Sequence, residues 1–404
     1  MENRRRFLQT SGLALGVGTL APQFLVQAAS RAKGGNDRVL VVVQLSGGND
    51  GLNTIIPYAD DVYGKRRPSL AIPTTEVIKS NDHMGFHPAL RGFADLLEQQ
   101  KLVVVQGVGY ANPNRSHFES MDIWHTCHLK NEQRSVGWLG RYLDQNENAD
   151  GSDVPAIHFG GEQQPLALQA SNVRVPSVKS LDEFKLQSGN DKFRETVSQL
   201  AATHRTASSD LLGFVQTSTS AALVASDRVA AAQSDYKAAV EYPQTDLARK
   251  LRIVAQLISA GLDTRIYYVT LDGFDTHSQQ ADAHAALLRQ WGDAVTAFTG
   301  DVTEHGHGSR VLTLSFSEFG RRVEENASKG TDHGAAAPLI LTGGGVRAGF
   351  SGEHPSLTDL DDGDLKFHTD FRQVYATVLQ GWLGCDSEKV IGARYEPLPI
   401  LKPS

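Results

Sequence analysis

Cysteine is almost missing from this chain: only Cys127 and Cys385 occur in 404 residues. That excludes a disulfide-stapled scaffold and allows at most one bridge in an oxidising compartment; their positions do not say whether the two pair. Beyond the first residues, no apolar run reaches the length of a membrane helix, and there is no repeat period or low-complexity tract. An excess of positive charge is missing too, with 39 Lys and Arg against 46 Asp and Glu and a formal net charge of −7. Nucleic acid and anionic membrane surfaces are therefore poor partners. What is present is the composition of a globular protein, 40% apolar and 21% charged. A chain of this length exceeds one minimal core and suits a large α/β domain with an insertion.

The first residues stand apart. NRRRFL, from Asn3 to Leu8, precedes a moderately apolar run from Gly12 to Val26, and Val26-Gln27-Ala28 supplies small residues for cleavage. This is the three-part pattern of a secretory leader, and its paired arginines mark the twin-arginine route. Residues 1–28 are thus expected to be a signal peptide, and residues 29–404 a single periplasmic or secreted domain. An uncleaved anchor is the alternative. Cleavage at Ala28 leaves 376 residues with a formal charge of −9, since Glu2 and three arginines carry +2 away. Export of a folded protein fits a metal ion inserted before export.

Within the mature chain, apolar strand patterns repeatedly end in polar, glycine-rich turns. RVLVVVQL, Arg38 to Leu45, is β-branched and unbroken, the pattern of a parallel strand buried on both faces. It runs into Ser46-Gly47-Gly48-Asn49-Asp50-Gly51, which sets Asp50 just past the strand end; the glycines there allow positive φ and close backbone approach, although Asn-Asp-Gly is also an ordinary turn. Pro88 to Gln99 reads as a helix with His87 as its cap. Leu102 to Val105 is a strand, and a flexible loop then leads to Ser116 at the start of a helix from His117 to His128. The helix macrodipole favours an anion at Ser116, while Ser116-x-x-Glu119 reads equally as a capping box. Residues 191–261 are Ala-, Ser- and Gln-rich with helical spacing and read as a helical insertion or cap. RIYYVTL, Arg265 to Leu271, is followed by Asp275 and His277, two apart and able to face one ion. His305-Gly306-His307 lies in a polar connection and reads as a solvent loop. Val311 to Phe316 ends at Ser317-Glu318-Phe319-Gly320-Arg321, and Thr331-Asp332-His333-Gly334 precedes the apolar run Pro338 to Leu341. His368, Thr369 and Asp370 read as the N-cap region of a helix from Phe371 to Leu383. Carboxylates and imidazoles gathered beyond strand ends are what a metal site on an open α/β sheet requires.

Five segments, LSGGNDGLN, NRSHFES, GFDTH, SEFGR and GTDHG, together resemble a Tat-exported bacterial family called domain of unknown function 1501. More distantly, the order of strands and site residues resembles the alkaline phosphatase superfamily. The resemblance implies an α/β fold with a mostly parallel central sheet and helices on both faces. It also implies one or two divalent ions, Zn, Mn, Ca or Mg. Asp50 resembles the superfamily's first metal-binding Asp and Ser116 its nucleophile, and Asp275 and His277 resemble its first Asp/His pair. Asp332-His333 resembles the Asp-His-Gly signature under one alignment. Under the other, Glu318 is the carboxylate, Phe319 stands where a His would coordinate, and His333 is the last ligand. Arg115 or Arg321 would hold the non-bridging oxygens. A sulfatase is disfavoured, because Ala111 begins the run that would need an oxidisable Cys or Ser. The expected function is a periplasmic metal-dependent hydrolase of a phosphate or related ester, small or polymeric. The alternative is a non-catalytic scaffold or secretion partner on the same fold, with a protein as its partner.

Overall fold

The computed structural model describes residues 37–129, 134–146, 155–161, 163–173, 175–179 and 236–403. The leader expected over residues 1–28 lies outside them, as does residue 191–235 of the expected insertion.

Nine strands form the central sheet: β1 (Val39–Leu45), β2 (Leu102–Gly109), β3 (Ala156–Phe159), β4 (Ser177–Val178), β5 (Ile266–Leu271), β6 (Val311–Phe316), β7 (Ala337–Gly343), β8 (Gly349–Ser351) and β9 (Thr369–Asp370). Their order is β8-β2-β7-β6-β1-β5-β3-β4, with β9 also paired to β2. β1 lies at the centre, parallel to both β5 and β6. The valines of β1 are fully buried, which is why that strand carries no polar alternation. β7 is the exception to the parallel pattern, antiparallel to both β2 and β6. It follows β6 through a β-hairpin, Arg321–Glu325 with Thr331–His333, and an antiparallel neighbour needs no long crossover.

Helices cover both faces, divided by the alternation of β1. Val39, Val41, Val43 and Leu45 pack with α2 (Arg91–Glu98), α5 (Asp246–Ser259) and α6 (Gln280–Glu304). Leu40 and Val42 pack with α3 (His117–Thr126), α4 (Trp138–Gln145) and α7 (Phe371–Thr377). The fold is therefore a mixed α/β architecture on a mostly parallel sheet. In α5, Leu247, Leu251, Val254 and Ile258 recur at three- and four-residue steps and are all buried, as an amphipathic helix requires. Asp370 caps α7 in a capping box with Gln373. His87 accepts from the Ala89 amide at 3.0 Å, a local cap. His305 bonds the end of α6 through the Asp301 carbonyl, 2.9 Å away. Cys127 and Cys385 are both free. No helix among the described residues is long and apolar enough to cross a membrane.

The chain enters β1 at the edge opposite the turns that carry the candidate site residues, held there by the Val39 amide on the Arg310 carbonyl at 2.7 Å.

His87, His125 and His284 are buried in the neutral form. Burial lowers His87 and His284 to about 4 and His125 to about 3. Unfolding returns each to an ordinary value near about 6.5, so the unfolded chain binds the extra protons. Their stabilising share is complete above that value and is lost as pH falls toward the folded values. Urea unfolding between about pH 7 and pH 5, above the ordinary carboxylate range, should show stability dropping by up to about 1.4 kcal/mol per pH unit for each proton. A flat profile there would mean that these imidazoles are solvated.

Candidate metal centre

Three strand ends and one helix start meet at the carboxyl edge of the sheet. Past β1, Gly47 and Gly48 have φ of +116° and +80°. A Cβ at Gly47 would lie 2.4 Å from the Asp275 amide nitrogen, and one at Gly48 would lie 2.3 Å from the Phe319 ring. The Ser-Gly-Gly turn thus lets the loops after β5 and β6 close directly on β1. The Gly47 amide donates to Glu318 Oε1 at 2.9 Å. The hairpin after β6 pairs Arg321 with His333, which folds His333 back over the edge of the sheet. α3 begins at His117 and brings its ring to the same place.

The centre of the group is Asp275 Oδ1. His277 Nε2 and His333 Nε2 each lie 3.0 Å from it, and His117 Nε2 lies 3.4 Å away. His277 Nε2 and His333 Nε2 are 2.9 Å apart. The donor atoms of His117, Asp275 and His333 all fall within 4.8 Å of one another. Ligands on a tetrahedral ion with bonds of about 2.0–2.1 Å stand about 3.3 Å apart, so the three spacings around Asp275 Oδ1 match a coordination shell, while His277 stands outside the group of three that is mutually close.

The outer ring nitrogens make the same case. His333 Nδ1 is 2.7 Å from the Arg115 carbonyl, an oxygen that only accepts, so Nδ1 carries the proton and Nε2 presents a lone pair. His117 Nδ1 is 2.8 Å from Glu318 Oε1, and His277 Nδ1 is 3.5 Å from Asp332 Oδ1. Each imidazole is held from outside by an acceptor and turns Nε2 inward, the arrangement of metal-ligating histidines. His117 Nε2 is buried and has no hydrogen-bond partner. A His333 lone pair facing a carboxylate oxygen at 3.0 Å is repulsive unless a proton or a cation lies between. Burial lowers the His333 pKa, which disfavours the proton. The donor set fits a divalent ion.

Asp275 is the anion of the group. Burial alone would raise it, but the hydrogen bond and charge of Arg321 outweigh that and lower it. The bond to Glu318 raises His117; a proton and an ion compete for Nε2, so ion affinity weakens as pH falls.

The other residues singled out from the sequence stand around this cluster. Asp50 is buried at 1% exposure; its Oδ2 takes Arg67 Nη1 at 2.6 Å and Gln280 Nε2 at 2.5 Å. Burial raises its pKa, and the charge of Arg67 with the hydrogen bonds from Arg67 and Gln280 more than offsets this, so the net shift is downward. The structure brings Asp50 to a guanidinium and not to the imidazoles. Glu318 and Asp332 each support a histidine from outside. Phe319 is buried against His117 and His333, with ring centroids 4.9 and 4.6 Å away, and walls the cluster. Arg321, 1% exposed, donates to the carbonyls of Gly47, Gly48, Phe274 and Thr331 and to Asp275. It has no face left for a substrate oxyanion; its work is to tie the three loops together. Arg115 reaches outward to Asp362 and Asp364. Ser116 is exposed at the start of α3, and its hydroxyl makes no cap bond, so the expected capping box does not form.

His117 was not picked out from the sequence, although NRSHFES contains it beside Ser116. Arg67, which neutralises Asp50, has no local signal, since the pairing joins segments with no shared motif.

Among solved structures the chain is similar to the C-terminal periplasmic domain of EcEptC from Escherichia coli in complex with Zn. That match has 11% identity and a TM-score of 0.37 over 80% of this chain and 77% of the other. It is also similar to the PsFucS1 sulfatase from Pseudoalteromonas sp., at 12% identity and a TM-score of 0.39 over 95% and 72% of the two chains. A protein in the alkaline phosphatase superfamily from Vibrio parahaemolyticus matches at 10% identity and a TM-score of 0.37, over 82% and 71%. No curated protein matches the chain in sequence. The family described as protein of unknown function (DUF1501) matches residues 37–394, and the chain belongs to that family.

Proposed function

We propose that this chain is a metal-dependent hydrolase of a phosphate or related ester, working outside the cytoplasm after export through its twin-arginine leader. The observation that carries the reading is the inward set of three Nε2 atoms on Asp275 Oδ1, each imidazole anchored from behind. His117, Asp275, His277 and His333 would hold one divalent ion. A second ion would need Asp50 and Glu318, whose oxygens are taken by Arg67 and by His117 and Gly47. Three nitrogens and one carboxylate favour Zn over Mg or Ca. When bound, the ion supplies Lewis acidity and lowers the pKa of a coordinated hydroxyl. Ser116, exposed beside His117 with its hydroxyl uncommitted, is the nucleophile of this reading. In net terms the ester takes up one water and yields an acid and an alcohol. Phe319 and Arg321 shape and close the floor of the site.

The loss of an imaginable second ion site favours one other reading: a metal-binding scaffold or secretion partner without turnover.

Protein recovered from the periplasmic fraction should carry about one tightly held divalent ion per chain. It should hydrolyse bis(p-nitrophenyl) phosphate or p-nitrophenyl phosphate, lose that activity on chelation and regain it with Zn or Mn. An ion without turnover on either ester would select the scaffold. Protein found only in the cytoplasm would remove the export part, and absence of an ion would end both readings.

A further inference from the structure

Arg115 and Arg322 both reach the short hairpin that pairs Leu360–Asp361 with Asp364–Leu365. The Arg115 carbonyl holds His333, and Arg322 directly follows the Arg321 that holds Asp275. Asp364 lies between the two guanidiniums, 3% exposed, with Oδ2 at 2.7 Å from Arg115 Nη2 and Oδ1 at 3.4 Å from Arg322 Nε. Asp362 is different: it is 78% exposed, and its Oδ2 alone lies 3.1 Å from Arg115 Nη2 and 3.4 Å from Arg322 Nη2. Asp364 is thus a fixed counter-charge, while Asp362 is a solvent-facing carboxylate pinched by two arginines through one oxygen. Exposed pairs of this kind are weak. With Asp362 turned away, two guanidiniums face a single buried carboxylate and one positive charge is left over.

We propose that Arg115 and Arg322 form an anion subsite beside the metal centre, occupied in this state by Asp362. It receives an oxyanion of the substrate other than the group that reacts. Guanidinium forks suit phosphate, sulfate and carboxylate oxygens, so the substrate would carry a second acidic group next to its scissile ester. The substrate class rests on the hydrolase reading; the subsite does not.

Chelator-treated protein separates the two, because no ion is present to bind the probe. Inorganic phosphate is titrated calorimetrically at low ionic strength into the parent chain, Asp362→Asn, and Asp362→Asn combined with Arg322→Gln. Asp362→Asn should bind phosphate at least about fivefold more tightly than the parent, and the added Arg322→Gln should return affinity to the parent level or below. Asp362 is exposed and Arg322 half-buried, so equal melting temperatures are the control for folding. Equal affinity of Asp362→Asn and the parent overturns the subsite, as does tight binding that survives Arg322→Gln. Phosphate binding in this pattern together with an inactive metal-loaded protein would leave the subsite standing and defeat the hydrolase. The reverse pattern would defeat the subsite alone.

Discussion

His333→Ala is expected to be purified without its ion and without turnover, whereas Ser116→Ala should keep the ion and lose turnover alone. His333 Nε2 meets both Asp275 Oδ1 and His277 Nε2 at hydrogen-bond distance. Removing it deletes one of four inward donors. Ser116 supplies no donor to that shell and no cap to α3. The usual loss of about 0.5–2 kcal/mol on removing a capping side chain therefore does not apply, and its melting temperature should match the parent. Turnover should fall on the order of a thousandfold if Ser116 forms the covalent bond. Glu318→Gln lies between the two: it keeps a group beside His117 Nδ1 but loses the charge, which should weaken ion affinity about 10–100-fold. Metal analysis and ester hydrolysis on the three variants read the pattern. An ion held by His333→Ala as firmly as by the parent would refute the coordination set, and an active Ser116→Ala would take Ser116 out of the mechanism.

The second large effect is on stability. Arg67→Met should cost about 3–5 kcal/mol, because it leaves the Asp50 carboxylate charged and unpaired in the interior. Arg67 is fully buried and also donates to Asn53 Oδ1 and to the carbonyls of Arg322 and Val323. The double variant Asp50→Asn with Arg67→Met should recover part of that loss, since a neutral amide needs no counter-charge. Urea unfolding of the parent, both single variants and the double variant gives the coupling directly. A cost below about 1 kcal/mol for Arg67→Met would show that Asp50 is neutral or hydrated. Ion content should be unchanged in the double variant, as neither residue faces the imidazoles.

How much of this was legible in the sequence depended on whether a feature was local. The run Val39–Leu45 announces a central strand because every residue is apolar and β-branched or nearly so, and strand ends carrying Asp275 and His277 announce a site. Glu318, Asp332 and Asp50 stand near strand patterns that the sequence displays, but whether a carboxylate turns toward an ion, a histidine or an arginine is decided by partners elsewhere in the chain. Arg67, 17 residues from Asp50, is such a partner. The hairpin Arg321–Glu325 and Thr331–His333 has no legible strand pattern, since Val323 is its one apolar strand residue and Arg321 is buried despite its charge. Its register is what sets His333 opposite Arg321, and register is a non-local property. His117 was hidden by its neighbour, because the Ser116-x-x-Glu119 spacing explains a helix start without asking anything of the residue between.

The entry of the chain into β1 has a practical side. Asp37 is held at that edge by Arg310 Nη1 on its carbonyl at 3.1 Å, while the Ser-Gly-Gly turn leaves from the other end of the strand. Seven strand residues at about 3.3 Å each separate the two by about 23 Å. An affinity tag, a fluorophore or a bead linked ahead of Asp37 would therefore sit at the end of β1 away from the candidate site, leaving that face clear of the support.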